Sequence, residues 1–438
     1  MHTRIADIEV DDPGAWMRAL ITELYPICRS ITGDGVRQTL RRVQAELPLE
    51  LHEVPSGTHV FDWTVPREWN IRAAWIADQR GRRIVDFDES NLHVVSYSIP
   101  VHARMPLAEL RGHLHSLPDR PTLVPYRTSY YNESWGFCLR HDQLSQLEDG
   151  EYEVMIDSTL EDGSLTYGEC VIPGEEEGEV LLSCHVCHPS MCNDNLSGIA
   201  LVCLLGMLLR RCALRYTYRL LFIPGTIGSI TWLALNESVV SRIRHGLVVS
   251  GVGDRGPVSY KRSRQHDAAI DRAVALVLDR SDRPHRVLDF DPYGYDERQF
   301  CSPGFNLPVG RISRSVYGSY PEYHTSGDDI GFVDDASLTE TLSVVIEALD
   351  LLEHDRRYRN LNPRCEPQLG RRGLYRAVGG SVDAGAAELA LLWVLSLSDG
   401  QASVIDIVER SGLSVDAVRD AVAALLAHGL LEEADLPR

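Results

Sequence analysis

Apolar positions change their spacing several times along the chain, and each change marks an element boundary. From Trp16 to Leu47 they recur at helical spacing, interrupted by Ser30-Ile31-Thr32-Gly33-Asp34-Gly35, a turn-rich break that predicts two helices. Between Leu51 and Val101 the pattern shortens to runs such as His59–Val65 and Leu92–Tyr97, separated by Pro and Gly, which predicts a small β-rich module inserted at residues 49–112. Beyond about residue 140, strand-like runs (Tyr152–Met155, Glu179–Ser183, Tyr218–Ile223, Leu247–Val252) alternate with helical ones (Leu196–Leu209 and a helix from Ile230). Such alternation predicts an α/β fold, a mixed sheet with helices on both faces, and places ligands beyond the carboxyl ends of the strands. From about Asp383 the order is helix (Ala387–Leu397), turn (Asp399-Gly400), helix (Ile405–Arg410), helix (Val415–Ala427) and a short extension, the outline of a winged helix over residues 383–438. Residues 1–48 and 113–382 are then left for the α/β domain.

Composition narrows the partners. At 438 residues the chain exceeds one ordinary core, and its 44% hydrophobic and 24% charged content is that of a folded protein. The formal charge is −20, and Lys261 is the only lysine, so binding to a nucleic-acid backbone is not expected. Within Glu388–Arg438, nine acidic residues face three arginines, so the winged helix is expected to serve packing, a protein partner or homo-oligomerisation rather than DNA reading. The N-terminus, Met1 to Asp12, turns acidic and carries no apolar h-region, which predicts a cytoplasmic protein. The most apolar run, Ile199–Leu209, is half the length of a membrane span, so no membrane partner is expected. Ten cysteines scattered from Cys28 to Cys365 read as free thiols.

The densest chemistry lies in Ser183-Cys184-His185-Val186-Cys187-His188-Pro189-Ser190-Met191-Cys192-Asn193-Asp194, directly after the strand-like Val180-Leu181-Leu182. Imidazoles at a strand end and a carboxylate opening the next helix are the N and O donors that zinc accepts. Three other readings compete. Cys184, Cys187 and His188 spell the attachment motif of c-type haem, which requires export. A thiolate zinc site lacks the further cysteine pair it needs. Histidines buried against backbone partners are the third. A second constellation, Tyr323-His324-Thr325-Ser326-Gly327-Asp328, offers an imidazole with a carboxylate four residues on, suited to orienting a metal ligand from behind.

These two constellations, Asn193–Gly198 and His324–Asp328, resemble the zinc-dependent aminopeptidases of the leucyl-aminopeptidase/glutamate-carboxypeptidase type. More closely, the chain is similar to a bacterial aminopeptidase-like family with a C-terminal winged helix, through Arg29–Gly33, Phe61-Asp62-Trp63, Pro125–Tyr131, Trp135–Cys138 and Asp296–Gly304. The resemblance implies metal ligation by His185, with Cys187 standing where an orienting aspartate is usual and His188 competing for the ion. It further implies Asp194 and His324 as ligands and Asp328 behind them. A second-ion carboxylate maps poorly at the end of Gly246–Ser250, so one zinc is expected rather than two. It also implies Pro-Glu-Thr-Ile-Gly where this chain reads Pro224-Gly225-Thr226-Ile227-Gly228, removing the carboxylate expected to accept a proton.

Glu297 is the expected substitute base. For substrate, Arg29, Arg127, Arg298 and Arg314 are candidate carboxylate clamps, Tyr130, Tyr131, Trp135 and Tyr323 candidate pocket walls, and Asp296 and Glu297 candidates for holding an ammonium. His113 and His115 are expected to be surface residues. The reaction these residues point to is removal of an N-terminal aminoacyl residue from a small peptide, or cleavage of a related aminoacyl amide. The alternative, prompted by Gly225, is a metal-binding descendant that serves as a scaffold without turnover.

Overall fold

The computed structural model describes residues 4–8, 10–374 and 382–434. The first three positions and the ninth of the N-terminal stretch, and the last four of the expected winged helix, lie outside them. The described chain forms two compact units, residues 1–271 with 282–344, and residues 272–281 with 345–438.

The first unit is built on eight strands: β1 (Glu50–Pro55), β2 (Ser164–Ile172), β3 (Glu176–His185), β4 (Tyr216–Ile223), β5 (Ile243–Val249), β6 (Val258–Lys261), β7 (His285–Leu288) and β8 (Val309–Ser313). Their order is β1-β2-β4-β3-β5-β8-β6-β7. The run β4-β3-β5-β8 is parallel, while β2 pairs antiparallel with β1 on one side and β4 on the other. From Glu179 to His185 every residue of β3 is buried, the continuous pattern of a strand covered on both faces. The following helix, Ser197–Leu209, is apolar all round, and twelve of its thirteen residues are buried, so it is a core helix.

The helices Pro13–Leu24 and Asp34–Gln44 stand either side of the expected turn-rich break. Gly33 there has φ +96°, and a Cβ on it would lie 2.2 Å from the Trp69 carbonyl oxygen, so both conformation and space demand glycine. The second helix is tied to the sheets by Arg37, which donates to both Glu68 carboxylate oxygens at 2.7 and 2.6 Å and to Glu53 at 3.0 Å. The Arg37 hydrogen bonds hold the Glu68 pKa down at about 2, against 4.5 for a free side chain. A depressed carboxylate stabilises the fold above the unfolded value and loses that contribution as pH falls through the folded one. Glu68→Gln is therefore expected to cost about 1–3 kcal/mol at neutral pH, with the difference from wild type closing at acid pH. Urea unfolding of both proteins at neutral and acid pH reads it.

The β-rich region differs from the expected insertion at 49–112. Its four-stranded antiparallel sheet runs Arg83–Asp86, Glu68–Ala77, Glu151–Glu161, Val101–Pro106. The central strand Glu151–Glu161 comes from beyond residue 112, because Glu68–Ala77 needs a partner on each side to satisfy its ladder. Glu50–Pro55, expected inside the module, instead edges the large sheet. The Leu92–Tyr97 run is not a strand: Asn91–His93 forms a 3-10 turn, and only isolated bridges follow.

The second unit pairs Arg357–Asn360 between Asp399–Ser403 and Leu431–Glu433, with the helices Val382–Leu397, Val404–Ser411 and Val415–Ala427. The middle helix opens on a capping box, Ser403 with Asp406, and ends at Gly412 in the left-handed region. The expected boundary at 383 moves earlier, since the central strand of this sheet is already in place at Arg357.

Candidate metal centre

His185 is the last residue of β3, and the loop that leaves it carries His188 and Asp194 before the core helix begins. β4 ends at Ile223, one residue short of Pro224-Gly225, and His324 sits in the connection after β8. The carboxyl ends of neighbouring parallel strands thus converge on one point.

At that point Asp194, wholly buried, receives two imidazoles. His185 Nε2 lies 2.8 Å from its Oδ1, and His324 Nε2 lies 3.0 Å from its Oδ2. His188 joins them, with ligand-capable atoms of His185, His188 and Asp194 all within 4.8 Å of one another. Neighbouring ligand atoms about a tetrahedral zinc stand roughly 3.3 Å apart, given bonds near 2.0 Å. His185, His188 and Asp194 therefore offer the donor types that zinc takes, within reach of a single ion, and His324 meets the same carboxylate at its other oxygen. Burial opposes the Asp194 charge, yet His188, His185 and His324 hold its pKa well below the usual carboxylate range. Burial lowers His188 to about 3, so it is neutral and its lone pair is available.

The centre is held from behind. Asp328 accepts the backbone N–H of Asn193 at 2.6 Å and of Asp194 at 2.9 Å. Burial raises its pKa to about 8. Asn193 donates to Asp254 at 2.9 Å and accepts from the Gly253 N–H at 2.8 Å, and Asn195 donates to the Val249 carbonyl at 3.0 Å. These bonds fasten the Asp194 loop to the end of β5. Tyr295 stacks on His185 (5.0 Å, 18°) and Tyr323 on His324 (4.0 Å, 15°), fixing the ring planes.

Above the centre lies a cavity of about 440 Å³. Of the residues singled out from sequence, it brings together His185, Cys187, His188 and His324 with Arg127, Tyr130, Tyr131, Asp296 and Tyr323. Asp296 Oδ1 accepts from the Thr226 N–H at 2.6 Å and the Ser229 hydroxyl at 2.8 Å, and burial raises its pKa.

Other expectations are corrected. Glu297 is fully buried and paired with Lys261 Nζ at 2.9 Å, with Arg311 Nη1 at 3.6 Å, and does not line the cavity, so it is not a free base. Arg29 is buried and donates to the carbonyls of His188 and Leu24, bracing the histidine loop instead of meeting substrate. Arg314 is engaged by the Gly256 carbonyl and Glu340, and Trp135, half-buried, stacks on His113 at 3.6 Å against the small sheet's core. Arg298 is likewise absent from the cavity wall. Sequence reasoning missed Trp63, Tyr126 and Tyr295 as wall residues. Tyr126 and Tyr295 adjoin residues already singled out, and that adjacency was the available signal.

The mixed sheet with helices on both faces is the fold of aminopeptidase-like structures. The chain superposes on a zinc aminopeptidase from Bacillus subtilis with a TM-score of 0.58 at 11% identity, covering 78% of this chain and 95% of that one. It superposes on a peptidase M28 precursor from Shewanella amazonensis SB2B with a TM-score of 0.55 at 10% identity, covering 78% and 93%. The chain belongs to the family described as domain of unknown function DUF4910, matched over residues 18–355, and a winged helix-turn-helix family is matched over residues 356–433. A Clostridium acetobutylicum protein, provisionally named a polysaccharide biosynthesis protein with an aminopeptidase-like domain, is 50% identical over 421 residues, 96% of this chain and 97% of that protein. A crystal structure from the same organism, provisionally described as a peptidase, is 49% identical over 96% of each chain, with a TM-score of 0.91.

Proposed function

We propose that the protein is a zinc-dependent hydrolase of aminopeptidase type, removing an N-terminal aminoacyl residue or cleaving a related small amide. The observation that carries this reading is the convergence of His185, His188 and His324 on the buried Asp194 at the floor of a cavity. One ion fits the donor set, since Asp254, the carboxylate after β5, is engaged by Asn193 and Ser315. Zinc held by these residues would polarise the scissile carbonyl as a Lewis acid. The 50%-identical relative named for an aminopeptidase-like domain supports the same reaction class.

The chain's own groups supply the rest. The aromatic wall, Tyr126, Tyr130, Tyr295 and Tyr323, shields the centre from bulk water and packs the substrate's apolar part. Asp296 is the acidic group of the cavity wall. Anchored by Thr226 and Ser229, it is placed to hold the substrate amine or to take up a proton beside the Gly225 gap. All ten cysteines are free, which fits a cytoplasmic location. The acidic winged helix fits a protein partner or self-association better than nucleic acid.

The test pairs metal analysis with turnover. Protein purified with zinc available should retain about one zinc per chain and release the amine from aminoacyl anilides. His324→Ala should lose both. Metal-free wild-type protein with no hydrolysis would overturn the reading.

A further inference from the structure

A second cavity, of about 310 Å³, lies against the first and shares Tyr126, Arg127, Tyr323 and His324 with it. Its charged lining is unlike the rest of the molecule. Arg120 and Arg127 face it with His115, and no carboxylate lines it, although the chain carries 63 acidic residues against 43 basic ones. Many of the other arginines meet carboxylates, among them Arg37 with Glu68, Arg72 with Asp157, Arg104 with Glu153 and Arg219 with Glu179. Arg127 is exposed and, among the described residues, its guanidinium has neither hydrogen bond nor ion pair. Arg120 gives Nη1 to the Pro321 carbonyl at 2.7 Å and keeps its other donors.

The walls are fixed in advance. Tyr126 N–H donates to the His324 carbonyl at 2.8 Å, and Ser326 N–H to the Val124 carbonyl at 2.8 Å. The Ser326 hydroxyl accepts the Val124 N–H at 3.0 Å, so the segments at 124–127 and 323–326 are bonded edge to edge. The backbone next to Tyr126, from which the Arg127 side chain departs, therefore stands at a set position relative to His324. Two guanidiniums without a counter-ion, on a rigid wall, form a site for an oxyanion, which they recognise through paired N–H donors.

We propose that this second cavity is an anion subsite, in which Arg127 and Arg120 hold a carboxylate or phosphate carried by the same molecule whose amide enters the histidine-lined cavity. The inference rests on the hydrolase reading for what the anion belongs to, but the binding itself is measurable without turnover. It makes the substrate an acidic amide, held by its charge on one side of Tyr126 and His324 and cleaved on the other.

Isothermal titration calorimetry of the full-length protein with inorganic phosphate and, separately, with succinate tests it, at low ionic strength, both as purified and after chelation. At least one of the two anions should bind saturably in both preparations, and the preferred one identifies the group as phosphate or carboxylate. Arg127→Gln and Arg120→Gln should each weaken that binding at least about tenfold, with unfolding temperatures unchanged, since both side chains reach solvent. Absence of saturable binding, equal binding by the variants, or binding that disappears on chelation would each overturn the subsite. Because no outcome depends on hydrolysis, an inactive enzyme that still binds the anion would refute the hydrolase reading alone.

Discussion

Asp194→Asn is expected to strip the protein of zinc and of hydrolysis together. Both Asp194 oxygens are committed, one to His185 and one to His324, within a wholly buried loop. An asparagine of the same size keeps one acceptor and turns the other into an N–H₂ donor, so one imidazole loses its partner and the centre loses its charge. Loss of a supporting partner alone typically weakens metal affinity 10–100-fold. Loss of a charged ligand should exceed that, and bound zinc measured by plasma mass spectrometry should fall to background. Retention of zinc would show that the ion sits elsewhere.

Gly225→Glu should act in the opposite direction. A Cβ at residue 225 would lie 3.4 Å from Cys187 Sγ and 3.6 Å from His185 Cβ, ordinary contact distances, and Gly225 is not among the glycines with positive φ. Nothing steric requires glycine there, and the position faces the cavity. A carboxylate restored at this point would add a proton acceptor beside the histidines, a contribution typically worth about 10²–10⁴ in rate. Steady-state kcat on an aminoacyl anilide with the zinc-loaded variant measures the gain. An unchanged kcat would assign proton transfer to a group already present, with Asp296 the first to substitute by asparagine.

Much of the site was legible because its parts announce themselves locally. His185 ends an apolar strand and Asp194 precedes an apolar helix, so both stand out in their own neighbourhood, whereas His324, in a Gly-marked turn, becomes specific only beside the first cluster and through the family resemblance. Their meeting, across 130 residues between Asp194 and His324, is set by strand order, which no local spacing encodes. The same limit explains the errors. Glu297 read as a free carboxylate because its partner Lys261 lies 36 residues away, at the end of the strand Val258–Lys261. Arg29 read as a clamp because the loop it braces begins more than 150 residues later. The small β-rich sheet was misjudged for a like reason: an antiparallel sheet can recruit its middle strand from any later run with the right period, and Glu151–Glu161 was that run. The winged helix was seen in outline because its helices are consecutive, while its central strand, Arg357–Asn360, stands apart from them in sequence.

The ion pair that removes Glu297 from the catalytic account also gives the molecule an unusual surface. Lys261 is the chain's single lysine, and its side chain is 3% exposed. The folded protein thus presents arginine as its positive surface charge, with no lysine ammonium for acetylation, methylation or ubiquitin attachment to find. Side-chain amine chemistry, whether by a modifying enzyme or a cross-linking reagent, reaches this protein only when the strand carrying Lys261 opens, so reactivity at that one position is a built-in gauge of local unfolding.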